Sequence, residues 1–464
     1  MKRREFIKKT GLAAVGAFAV PYILPSGRLF AGTGNPPKAD HVVLVMFAGG
    51  VRYQESIGQQ YLKASQMPYA ATLAKPELDV TGNIMNNMLV GAAPATKVLY
   101  GKGAGGQTPI VPILSQTLQQ QGMLFTEMKS SSPGHYGGLN AILQGNTLYS
   151  QGLKQRPINP TIFEYLRRHG GPTDFPATKV WFVGNGIGNS LPLLNSSEHS
   201  SYGMKYGANF FAPTVTFGPK GDQYLKDAKI YHPLDQLAPM YEMKYFLDNC
   251  YENIGRAFPN LDNTDAEKNQ IKMFMKTMFD KTAAGTIAFP PAHVDAGNGD
   301  TATVGYACEV MNEFKPKLTV VNLSAVDGCH SNFTSYLGAL HRADHAVGHL
   351  WNYIQNDPVM AGKTTIIAVP ECGRDLTPNL IKDPQNDFYG YDHSDLNTLD
   401  VFCLMAGPNM TMNATVNATN NPAFAGQWKT ADIVPTIADI LGLKDDVINA
   451  GMLASGAGSL YDKS

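Results

Sequence analysis

Apolar residues in this chain gather into short continuous runs. His41-Val-Val-Leu-Val-Met-Phe47 is the first, and it stops at Ala48-Gly49-Gly50. Lys179-Val-Trp-Phe-Val183, Leu318-Thr-Val-Val-Asn-Leu323, Thr364-Thr-Ile-Ile-Ala-Val369 and Val401-Phe-Cys-Leu-Met405 repeat the plan. A strand that is apolar on both faces must be covered on both, so these runs predict interior strands of a mostly parallel sheet. Between them the apolar positions shift to a helical period over 161–168, 337–354 and 430–441. The alternation predicts an α/β sandwich with helices on both faces of one central sheet.

Two stretches depart from this pattern. Residues 185–300 are rich in Gly, Asn, Pro, Tyr and Met, with helical periodicity near 241–257 and 266–283. They are expected to form an insertion or cap. Residues 409–419 repeat Asn-x-Thr every four positions and are expected to form a polar surface loop or hairpin.

The first residues carry an address. Lys2-Arg-Arg-Glu-Phe-Ile-Lys8 precedes an apolar stretch, Gly11 to Leu24, that is short and broken by Pro21. It resembles a twin-arginine export signal, with Lys2 and Ile7 where Ser or Thr and Leu are usual. A general secretory signal or a membrane-anchoring tail is the alternative. Cleavage is expected after Ala31, which makes 32–464 the mature α/β domain and its location periplasmic or extracytoplasmic. No later segment reads as transmembrane. Five cysteines at wide spacings give no disulfide framework, in keeping with a chain that folds before export.

Charge removes one class of partner. The first 31 residues carry about +5 of a chain whose net charge is −1, so the mature part is mildly acidic. It has no polyanion-binding signature, and nucleic acid is not an expected partner. Neither the oligomeric state nor a ligand is named by any motif.

The chemistry-bearing residues follow the strands. Asp327-Gly-Cys-His330, then Glu371-Cys372-Gly-Arg374, then Asp392-His393 come after successive apolar runs. Asp, Glu, His and Cys are transition-metal ligands, and open α/β sheets place their sites at the carboxyl ends of strands.

In this order the parts resemble the alkaline phosphatase superfamily of sulfatases, phosphodiesterases and related transferases, with an exported branch similar to the uncharacterised sulfatase-like family DUF1501. Residues 428–443 resemble the superfamily's C-terminal helix. The resemblance implies two metals around a Ser or Thr nucleophile. Ser130-Ser-Ser-Pro-Gly-His-Tyr136 resembles the nucleophile turn, which places Ser131 as nucleophile, with Ser130 or Ser132 beside it. The same residues also suit an ordinary turn and helix cap.

The match is incomplete. An Asp is expected after the first strand, and Gly49 stands there, with Arg52 left to face an anion. Asp327 and His330 have two residues between them where the superfamily has three. Glu371 and Cys372 replace Asp-His; Cys372 reads either as a thiolate ligand or as a packed thiol. One site, Asp327, His330 and His393, is thus expected to hold a divalent ion, zinc by its donors, and the other is expected to be lost. The total is one ion or none. Arg374 is a further candidate for positive charge at the reaction centre. His341, His345 and His349, one helical face with Asp344, read as a surface or interdomain feature.

Two functions remain open on these residues. One is an exported hydrolase of phosphate or sulfate esters. The other is a non-catalytic relative that binds a glycan, lipid or protein in an envelope assembly.

Overall fold

The computed structural model describes residues 22–23, 29–30, 36–60, 82–92, 111–148, 156–184, 193–212, 263–290, 299–384, 386 and 388–464. The segment expected to be an export signal, apart from four of its residues, and the helix expected at 241–257 lie outside them.

An eight-stranded sheet forms the centre. Its strands are β1 (His41–Phe47), β2 (Gly122–Lys129), β3 (Val180–Gly184), β4 (Asn209–Phe211), β5 (Leu318–Leu323), β6 (Thr364–Pro370), β7 (Asp400–Ala406) and β8 (Ala414–Val416). Their order across the sheet is β8-β2-β7-β6-β1-β5-β3-β4. β7 pairs antiparallel with both neighbours, and every other pair is parallel. The five strands expected from apolar runs are all present, with β1 in the middle. β1 shows why its run is unbroken: Val43, Val45 and Phe47 enter one core while Val42, Leu44 and Met46 enter the other.

The first face is covered by α3 (Asp265–Ala284), α4 (Gly299–Phe314) and α5 (Phe333–Asn356). The second is covered by α1 (His135–Gln144), α2 (Ile162–Asp174), α6 (Ile433–Ile440) and α7 (Lys444–Asn449). Ile271, Phe274 and Met278 of α3 join the same core as Trp181 of β3, whose ring lies 4.7 Å from that of Phe314. The described parts of 185–300 therefore belong to the sheet and its cover: Asn209–Phe211 is the edge strand and α3 packs beneath β3. Residues 213–262 lie outside the described set.

Two expectations change. The Asn-x-Thr run contributes β8, an edge strand parallel to β2. The histidine face of α5 is interior: His341 and Asp344 are fully buried. His341 Nδ1 lies 2.6 Å from the carbonyl of Ile84, and Asp344 accepts from the backbone N–H groups of Asn87 and Met88 at 2.9 Å. This face clamps the 83–89 segment onto the helix, because a buried backbone turn needs its N–H groups satisfied. The four described cysteines are free and buried. Among the described residues no helix is long and apolar enough to cross a membrane.

Candidate metal centre

Every residue of the site hangs from the same sheet edge. β1, β2, β5 and β6 run in one direction, and their ends lead into Gly49, the Ser130–Pro133 turn, Asp327–His330 and Glu371–Arg374 respectively. Since β7 runs the other way, the β6–β7 connection also stays at this edge and delivers Asp392 and His393.

His135 lies at the centre. It opens α1, directly after Pro133-Gly134. One turn later Gly138 lets the helix lie against β6, because a Cβ there would fall 2.4 Å from the carbonyl oxygen of Glu371. That approach brings His135 Nδ1 to 2.6 Å from Glu371 Oε1 and 3.8 Å from Cys372 Sγ. Its Nε2 lies 2.9 Å from Asp327 Oδ1, close but poorly aligned for a hydrogen bond. The ring centroids of His393 and His330 stand 4.1 and 5.9 Å from that of His135, and 4.9 Å from each other.

His330 Nε2 is 3.4 Å from the same Asp327 oxygen, while its Nδ1 is 2.6 Å from Asp392 Oδ1. The expected meeting of Asp327, Glu371 and Asp392-His393 at one sheet edge is therefore observed. His135 is the residue that sequence reasoning missed. Its signal was available: a histidine follows the serine turn immediately, at the same strand-end edge.

The charges in this cluster are strongly coupled. Burial opposes ionisation of Asp327, but His135, His330 and Arg374 outweigh it and hold the carboxyl well below the usual range. Burial also opposes the charge on His135; contacts with Asp327, Cys372 and Glu371 overcome it and push the pKa up to about 12. Burial, then the positive charges of His135 and Arg374, lower His393 to about 4, so its imidazole is neutral near pH 7. Burial and the charge of Glu371 push the Cys372 thiol up to about 11.

Two donor groups suit a metal ion, His135 with His330 and His393, and His135 with Glu371 and Cys372. Within each, the available ligand atoms lie within 4.8 Å of one another. The first group fits an ion well. Its histidines are part-exposed, His393 has a free lone pair, and the anionic Asp327 lies against two of the rings. Imidazole and carboxylate are donors that zinc and its neighbours accept with a position left open.

Gly49 stands where the family resemblance leads one to expect an aspartate, and the packing there is tight. Its φ is +144°, and a Cβ there would lie 2.3 Å from the backbone nitrogen of Asp327. The backbone of Asp327 fills the space where an aspartate side chain would start. Instead, the Gly49 N–H donates to Glu371 Oε1 at 2.6 Å.

The two arginines need correction. Arg52 is fully buried, 3.3 Å from Glu55 and with its guanidinium 3.8 Å from the Tyr391 ring centroid, so it braces the loop instead of facing an anion. Arg374 is buried as well. It donates to the carbonyl of Gly49, to that of Tyr391 at 3.1 Å and to Asp327 Oδ1 at 3.0 Å. These bonds hold Asp327 in place and leave the guanidinium almost no exposed surface, so its first role is structural.

Among the three serines, Ser130 Oγ is engaged by the backbone carbonyls of Glu371 and Ser132, and Ser132 Oγ by the Gly134 N–H. The Ser131 hydroxyl is part-exposed and lies 3.2 Å from the hydroxyl of Thr430.

No family model and no curated protein matches this chain. Among solved structures it is similar to a protein of the alkaline phosphatase superfamily from Vibrio parahaemolyticus, at 13% identity over 89% of this chain and 71% of that one, with a TM-score of 0.40. It is similar to the alkaline phosphatase PafA at 12% identity, covering 88% of this chain and 96% of that one, TM-score 0.40. A third is the lipoteichoic acid synthase LtaP from Listeria monocytogenes, at 10% identity over 93% and 77%, TM-score 0.41. The site stands on its own residues.

Proposed function

We propose that this chain is an exported hydrolase of phosphate or sulfate esters that holds one zinc ion at His135, His330, His393 and Asp327. The observation that carries this reading is the convergence of three part-exposed histidines and an anionic aspartate at the carboxyl edge of a mainly parallel sheet. A bound ion would supply positive charge opposite the charge that develops on an ester oxygen. Ser131 is the proposed nucleophile, because its hydroxyl is tied only to another rotatable hydroxyl while its neighbours are engaged by backbone. Asp327, held by Arg374, fixes the position of the rings around it. The paired arginines at Arg3 and Arg4 support export by the twin-arginine route.

A second reading is favoured by one observation. Gly49 has no room for the carboxylate of a second ion, and both Arg52 and Arg374 are buried, so no fixed second positive charge from these positions faces the opening. In that reading the centre serves binding, not turnover. Metal analysis of the purified protein together with assays on aryl phosphate and aryl sulfate esters separates the two. The hydrolase reading expects about one zinc per chain and weak turnover that Ser131→Ala abolishes without loss of metal. Zinc without turnover on any ester supports the binding reading, and a chain that takes up no metal sinks the hydrolase reading.

A further inference from the structure

His135 and His330 are built alike. Each has its Nδ1 at 2.6 Å from one carboxylate oxygen, Glu371 Oε1 for the first and Asp392 Oδ1 for the second. Each has its Nε2 turned to the same atom, Asp327 Oδ1, at 2.9 and 3.4 Å. A carboxylate can only accept, so in both pairs the Nδ1–H donates, and Nε2, turned inward, is the nitrogen that would yield its proton to a bound ion. Glu371 Oε1 also accepts the Gly49 N–H, so that oxygen is already committed to two donors. Metal-bound histidines are commonly oriented in this way by a carboxylate on the far ring nitrogen.

We infer that Glu371 and Asp392 are positioning residues, paired carboxylates that hold His135 and His330 with Nε2 toward the ion, and that Cys372 lies outside the ligand set. The inference rests on the metal centre proposed above. It reassigns Glu371 and Cys372, which the sequence had offered as ligands, and gives Asp392 a role that the sequence had not. Glu371 Oε2 is buried without a hydrogen-bond partner among the described residues, so direct ligation by Glu371 is the alternative that an experiment must separate.

Cobalt(II) substitution makes that separation, because the metal's visible spectrum reports its ligands. The wild-type chain loaded with cobalt is expected to show tetrahedral or five-coordinate ligand-field bands and no thiolate-to-cobalt charge-transfer band. Cys372→Ser should leave spectrum and affinity unchanged. Glu371→Ala and Asp392→Ala should each weaken cobalt and zinc binding about 10–100-fold, yet at saturating metal give the wild-type band positions, since no ligand has been removed. Glu371→Gln and Asp392→Asn, whose amide oxygens still accept from Nδ1–H, should recover most of that loss.

A charge-transfer band that disappears in Cys372→Ser overturns the inference, as do band positions that move in saturated Glu371→Ala. Asp392 is half-exposed, so Asp392→Ala keeps the test decisive if Glu371→Ala fails to fold. Undiminished affinity in Asp392→Ala also overturns it. Failure of the wild-type chain to bind cobalt or zinc at all would instead remove the metal centre on which the inference rests.

Discussion

The two walls of the site are built on opposite terms. One wall, made by Asp327, His330, Asp392 and His393, is open: the side chains of the first three are 39%, 35% and 45% exposed. The other, made by Gly49, Glu371, Cys372 and Arg374, is solid, with Glu371 and Cys372 wholly buried. The open wall has side chains that can turn toward an ion or a substrate. The solid wall has none to spare, since its polar groups mostly bond one another and its glycine lies against the backbone of Asp327. A family resemblance would place a metal at each wall; at the solid one the backbone of Asp327 leaves no room for a side chain at position 49.

The comparison breaks most sharply at Gly49. Gly49→Asp should not create a second metal site, because its Cβ would meet the backbone of Asp327 and its backbone sits at positive φ. It should destabilise the fold by about 3 kcal/mol or more, read from urea unfolding. A normally stable variant that takes up two equivalents of zinc would show that the solid wall had opened.

Next in size is Arg374→Met, which removes the guanidinium's hydrogen bonds to Gly49, Tyr391 and Asp327 from the solid wall. Breaking a fully buried ion pair costs about 3–5 kcal/mol, and the part-exposed Asp327 reduces this to roughly 2–3 kcal/mol. Wild-type unfolding behaviour would mean that the clamp is idle.

On the open wall the effects should fall on metal and spare the fold. His393→Ala should weaken zinc binding by at least about 100-fold, beyond the loss expected for an outer carboxylate. Its melting temperature without metal should stay near that of the wild type under the same conditions. Equal zinc affinity, measured by competition with a chelating dye, would exclude His393 from the centre.

The smallest change belongs to the loop behind that wall. Leu380 is 91% exposed, so Leu380→Ser should alter stability by less than about 0.5 kcal/mol in the same urea experiment. A larger loss would show that the loop is packed against something.

Legibility followed how local each signal was. The strands β1, β5 and β6 could be read to within a residue, because an unbroken apolar run bounded by polar or small residues has few other uses. β2 was not found: Gly122–Lys129 ends in Thr126-Glu127-Met128-Lys129, where polar side chains interrupt the run near the edge of the sheet. β8 was hidden in an Asn/Thr-rich segment for the same reason.

Asp327, His330, Glu371 and His393 could be named from their positions after strands. What could not be read was direction. The sequence gives no sign that Arg374 turns inward to Asp327, or that Arg52 is spent on Glu55 and Tyr391. His135 was overlooked because its relation to Glu371 depends on how closely α1 approaches β6, which Gly138 permits over a separation of more than two hundred residues.

The reversed strand β7 has a consequence for how such a site can change over time. A parallel strand pair must return its chain across the sheet before the next strand begins. Residues 371–399 need no return, since β6 ends and β7 begins at the same edge. This segment can therefore gain or lose length without disturbing a crossover helix, and it carries Arg374 and Asp392 as well as His393. Loop length adds little to the entropy of folding. The topology thus gives the lineage an adjustable part beside a fixed one, in which the opening can change shape by insertion while Asp327 stays anchored just past its strand.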